Sequence, residues 1–123
     1  MTTEEARVLV VDDVADVAHA LANLLALDGY ATRVAHDAES AMQLCESQLP
    51  HCVLLDIGMP GIDGLELARR LRARFGEDLV LIAVTGAGAP EERVSEKFAC
   101  VDHYLRKPVT PEQIRTVLGP LTG

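Results

Sequence analysis

The sequence predicts one α/β domain built on a parallel β-sheet with helices on both faces. Short apolar runs rich in β-branched residues recur along the chain, helical periodicities lie between and after them, and the connections are short. The first, third and fourth runs barely alternate between apolar and polar, as expected of strands buried on both sides.

The strand runs are Val8 to Val11, Ala31 to Ala35, Cys52 to Leu55, Leu79 to Val84 and Val101 to Leu105. After the first comes a helical stripe of Val14, Val17, Ala18, Leu21, Leu24 and Leu25, with Gly29 as its stop. Asp37 suits the N-cap of a second helix, whose apolar face is Ala41, Leu44, Cys45 and Leu49. Leu67, Ala68, Leu71 and Phe75 form a third stripe, and Pro90 opens a fourth helix carrying Val94 and Phe98. The last helix starts at Thr110 as N-cap, with Pro111 in its first turn and Gln113 completing a capping box. Ile114, Val117, Leu118 and Leu121 supply its buried face. No repeat, linker or low-complexity segment divides residues 1–123, and the expected core runs from about residue 7 to 121.

The 123 residues are 49% hydrophobic, and a domain of this length buries roughly two-thirds of its unfolded surface without a disulfide or structural metal. Eleven basic and 19 acidic side chains give a formal charge of −8, which argues against direct DNA binding and favours recruitment of cations. No apolar run reaches a membrane span, and the start MTTEEAR is acidic rather than signal-like, so a cytoplasmic protein is expected. Cys45, Cys52 and Cys100 lack metal or redox spacing and read as reduced, packed thiols. His19, His36, His51 and His103 are scattered and receive no chemical role.

In open parallel sheets, ligands bind outside the carboxyl ends of the strands. Those ends carry Asp12 and Asp13, then His36 and Asp37, then Asp56, then Thr85, and finally Lys107. Asp37 reads as a cap and Asp63 as a turn former. Asp12, Asp13 and Asp56 are different, because the first and third strands are expected to be neighbours. Three carboxylates at one crevice carry about −3, of which Lys107 offsets one unit, and a hard divalent ion such as Mg²⁺ fits the remainder. A Mg²⁺ ion, a lysine and a hydroxyl around a carboxylate nucleophile describe a site for phosphoryl transfer. No nucleotide-binding glycine motif is present, so the donor is not expected to be ATP bound in this domain.

The set VVDD, LLDIGMPGIDG, AVTG and YLRKP, in this order, resembles the receiver domain of bacterial two-component response regulators over essentially the whole chain. The resemblance implies a single flavodoxin-like (CheY-like), doubly wound domain with five parallel strands in order 2-1-3-4-5 and five helices. It implies a phosphoacceptor in a phosphorelay, served by a histidine kinase or a histidine phosphotransfer protein. Asp56 would accept the phosphoryl group. Asp13, Asp56 and the Gly58 carbonyl would hold Mg²⁺ (or Mn²⁺) directly, with Asp12 acting mainly through water. Lys107 would pair with Asp56 and then with the phosphoryl group, while Thr85 and Tyr104 would form the switch. Slow autodephosphorylation would follow, and output would pass to a protein target or a fused output domain. Gly86, Cys100, Gly58 and Ala87 depart from the commoner residues or are unusually small there. The wording around Asp56 and Thr85 also resembles receivers of hybrid histidine kinases.

Two other readings compete. A Mg²⁺-dependent phosphohydrolase with an aspartyl nucleophile, of haloacid-dehalogenase type, would carry D-x-D on its first strand and a cap domain, whereas here the acidic pair is adjacent. A pseudo-receiver that only binds partners would be free to lose Asp12, Asp13, Asp56, Thr85 and Lys107, and all five are present.

Overall fold

A computed structural model of the chain describes residues 6–56, 64–85, 101–106 and 109–118. The elements run β1 (Arg7–Val11), α1 (Ala15–Leu27), β2 (Ala31–Ala35), α2 (Ala38–Ser47), β3 (Cys52–Asp56), α3 (Gly64–Phe75), a 3₁₀ turn (Gly76–Asp78), β4 (Val80–Thr85), β5 (His103–Arg106) and α4 (Pro111–Leu118). All five strands are parallel, in the order β2-β1-β3-β4-β5. The helix expected from Pro90, with Val94 and Phe98, lies outside the described residues, as do Cys100 and Leu121.

The two-residue period of the strands builds two cores. Leu9, Val11, Val53, Leu55, Leu81 and Ala83 face α2 and α3, which contribute Ala41, Cys45, Leu67, Ala68 and Leu71. Val8, Val10, Leu54, Ile82 and Val84 face α1 and α4, which contribute Ala18, Ala22, Leu25 and Ile114. Every residue of β3 is buried, which explains its unbroken apolar run.

Local signals act as their chemistry predicts. At the end of α1, Gly29 takes φ 101°, its N–H donates to the Ala26 carbonyl, and the Tyr30 N–H donates to the Leu25 carbonyl. That is the Schellman arrangement, and it needs a residue tolerant of positive φ. Asp37 caps α2 by accepting the Ser40 N–H at 2.7 Å. At α4 the box closes both ways: Gln113 N–H donates to Thr110 Oγ1, and Thr110 N–H donates to Gln113 Oε1.

Three expectations need correction. The α1 stripe is only partly buried: its Ala18 and Leu25 are covered, together with Ala22 outside the stripe, whereas Val14, Val17 and Leu24 are about half exposed. An apolar stripe that wide exceeds what one sheet face covers. β4 runs one residue later than expected, ending at Thr85. β5 begins at His103 rather than Val101, because the Leu81 N–H is taken by the Asp102 carboxylate instead of a ladder carbonyl.

Candidate functional site

The site begins with register. Val11 lies opposite Leu55, so Asp12 and Asp56 each follow directly on a paired residue at the carboxyl ends of neighbouring strands. Strand order reverses at this point: β1 leads outward to β2, whereas β3 leads the other way to β4 and β5. Asp12 is 5% exposed and Asp56 7%, the only buried charged residues among those described. Both line a cavity of about 470 Å³, whose other walls include Val17, Leu24, Val84 and Val109. A carboxylate is normally solvated, and burying two of them favours positive charge close by.

Asp12 also shapes the chain locally. Its Oδ1 accepts the Val14 N–H at 3.0 Å, an Asx turn that starts α1 where Val14 offers no cap of its own. Its backbone N–H donates to the Ala35 carbonyl, and its carbonyl lies 3.2 Å from His36 Nδ1. Asp13 follows and is half-buried.

The neighbouring strands bring up the remaining candidates in order. Asp56 pairs with Val84, so Thr85 closes β4 one step beyond, level with Arg106 on β5. Lys107 comes next in the chain but lies outside the described residues, as do Gly58, Asp63, Gly86, Ala87 and the Thr85 side chain. Tyr104 is half-buried opposite Ala83 and packs against the core under α2 and α3. Asp37 stays with its helix, and the Ser40 N–H and hydroxyl hold its carboxyl below the ordinary value.

Sequence reasoning missed two features. His36 carries no role in the sequence reading, although its place at the end of β2 is a usable signal. Arg72 and Asp102, paired at 2.7 Å across 30 residues, gave no local signal at all.

The donors here are hard carboxylate oxygens, suited to Mg²⁺ or Mn²⁺, which take one or two carboxylates and keep several waters. Among the described residues no group of three or more His, Cys, Asp or Glu is disposed to hold a metal ion. Asp12 and Asp56 would supply one or two carboxylate ligands to such an ion. Also among the described residues, no helix is long and apolar enough to cross a membrane.

A doubly wound parallel sheet with buried carboxylates at its point of reversal defines a class: flavodoxin-like domains with an acidic crevice at the carboxyl edge. Residues 8–119 match the response regulator receiver domain family, and the chain belongs to it. It is 39% identical over 108 residues to the response regulator MprA of Mycobacterium ulcerans, an alignment covering 88% of this chain and 46% of that protein. The MprA of Mycobacterium tuberculosis strain H37Rv gives the same figures. The chain thus spans about half the length of these curated relatives. Among solved structures, a CheY-like receiver domain protein from Methanospirillum hungatei superposes with a TM-score of 0.81 at 28% identity, covering 96% of this chain and 97% of that one. The Thermotoga maritima response regulator TrrA, solved in complex with Mg²⁺ and BeF, gives a TM-score of 0.78 at 30% identity over 94% and 97%.

Proposed function

We propose that this chain is a single receiver domain that accepts a phosphoryl group on Asp56 from a histidine kinase or histidine phosphotransfer protein. The observation that carries this reading is the pair Asp12 and Asp56, both buried at adjacent strand ends. In the transfer, an Asp56 oxygen forms a bond to phosphorus as the phosphorus–nitrogen bond to the donor histidine breaks. Asp13 and Asp56, with the Gly58 carbonyl, would hold Mg²⁺ or Mn²⁺, with Asp12 behind them. When bound, the ion neutralises charge on the phosphoryl oxygens. Lys107 pairs with the same oxygens, and the Thr85 hydroxyl donates to one of them. Tyr104 follows Thr85 inward, a shift between two packings biased by one new charged group.

The half-exposed Val14, Val17 and Leu24 beside the crevice give a donor protein an apolar seat. Output passes to a protein target or a fused output domain, and a chain of charge −8 makes no DNA contact of its own in this reading. Cytoplasmic location and slow autodephosphorylation belong to the same proposal.

Incubation with acetyl phosphate and Mg²⁺ tests it. Intact mass should rise by one phosphoryl group, labile to hydroxylamine, and Asp56→Asn should abolish the gain. Undiminished labelling of that variant would overturn the assignment.

A further inference from the structure

His36 and His19 lie on different elements, at the end of β2 and in α1, yet their rings meet edge to face with centroids 5.6 Å apart. Both residues are exposed. We propose that they form a site for a borderline transition-metal cation, of the class Zn²⁺, Ni²⁺ or Cu²⁺, separate from the carboxylate crevice.

The tautomer of His36 is the first support. Its Nδ1 lies 3.2 Å from the Asp12 carbonyl oxygen. A carbonyl can only accept, so Nδ1 is the donor in this contact, which leaves Nε2 as the nitrogen the ring can offer a metal. Metal-binding imidazoles are commonly oriented in this way, one nitrogen donating to a backbone carbonyl while the other ligates.

Spacing is the second. With a metal–nitrogen bond of about 2.1 Å, and each ring centre a little over ~1 Å behind its nitrogen, two imidazoles on one tetrahedral ion have centres about 5 Å apart. The observed 5.6 Å is close to this, and a turn of the exposed His19 side chain alone reaches it while His36 keeps its contact with the Asp12 carbonyl. No third ligating side chain completes a group among the described residues, so water fills the remaining positions.

Ligand type separates this site from the crevice. Imidazole nitrogen suits Zn²⁺, Ni²⁺ and Cu²⁺, whereas Mg²⁺ prefers oxygen and competes poorly for it. The other histidines offer no such pair: His51 Nδ1 accepts the Arg7 N–H at 2.8 Å, and His103 lies on the far edge strand. Cys45 and Cys52 are buried.

The test is calorimetric titration of the full chain with ZnCl₂ in millimolar Mg²⁺. Wild type should bind one Zn²⁺ at micromolar concentration. His19→Gln and His36→Gln should each weaken binding at least about tenfold, and His103→Gln should leave it unchanged. Wild-type proton spectra supply a measurement without variants: Zn²⁺ should shift the ring resonances of His19 and His36 and leave those of His51 and His103 in place. Unchanged affinity in both single variants would overturn the proposal. So would loss of the Zn²⁺ signal on raising Mg²⁺, because the ion would then be sitting among the carboxylates.

Discussion

Arg72 holds the start of β5 to the rest of the domain, and removing it should be costly. From α3 its NH1 donates to the Gly76 carbonyl at 2.8 Å and the Leu79 carbonyl at 2.9 Å, while NH2 meets Asp102 Oδ2 at 2.7 Å. The same Asp102 oxygen accepts the Leu81 N–H at 2.8 Å, so one carboxylate joins α3, β4 and the entry to β5. The side chains are 21% and 42% exposed, so solvent screens the ion pair and limits its share to under about 1 kcal/mol. The two carbonyl bonds come from a charged donor, but water can replace part of them, leaving roughly 1 kcal/mol between them. Arg72→Ala should therefore lose about 2 kcal/mol, a fall in Tm of roughly 8 °C for a domain of this size. Arg72→Lys should recover less than half of that, since one ammonium cannot span three acceptors as a planar guanidinium does. Urea unfolding followed by circular dichroism measures the loss, and a cycle with Asp102→Asn isolates the pair, with a coupling of about 0.5–1 kcal/mol expected. Faster amide exchange in β5 should accompany it. A loss below about 0.5 kcal/mol in Arg72→Ala would refute the clasp.

Millimolar Mg²⁺ should raise the Tm of wild type by mass action, reaching about 2.7 kcal/mol at a hundredfold excess over Kd. Asp13→Ala should respond much less, and equal shifts would mean a general salt effect. Burial pushes the Cys45 thiol from 9.0 up to about 11 and raises that of Cys52 as well. The folded state thus keeps protons that the unfolded state releases, so this stabilisation is whole below pH 9.0 and is lost as pH climbs toward 11. In a Cys100→Ser background a thiol reagent at neutral pH should label neither Cys45 nor Cys52 until the protein unfolds, and rapid labelling of the native state would contradict their burial. Gly29→Ala should cost about 1 kcal/mol in urea unfolding, all of it backbone strain at φ 101°, because an added Cβ meets nothing within 4 Å. A neutral result would mean that α1 can end without the left-handed residue.

What the sequence determined by itself was whatever depends on near neighbours. Gly29 ends α1, Asp37 starts α2, and Thr110 and Gln113 box the start of α4, because caps act over three or four residues. The buried strands were legible for a similar reason: a run such as Cys52 to Leu55 has no polar side to offer water. The acidic residues at the strand ends were legible as well, since their chemistry is out of keeping with the apolar runs they follow. Tertiary structure alone decided what depends on register and on which surfaces meet. Only the pairing of Val11 with Leu55 makes Asp12 and Asp56 neighbours, and only the packed sheet shows both to be buried. Nothing local announces that Val14, Val17 and Leu24 stay half exposed, because a helical period says how wide a stripe is and not how much of it is covered. The same holds for His36 on the Asp12 carbonyl and for Arg72 on Asp102. These contacts join residues 24 and 30 positions apart, and a sequence pattern carries no distance across such a gap until the sheet brings the strands together.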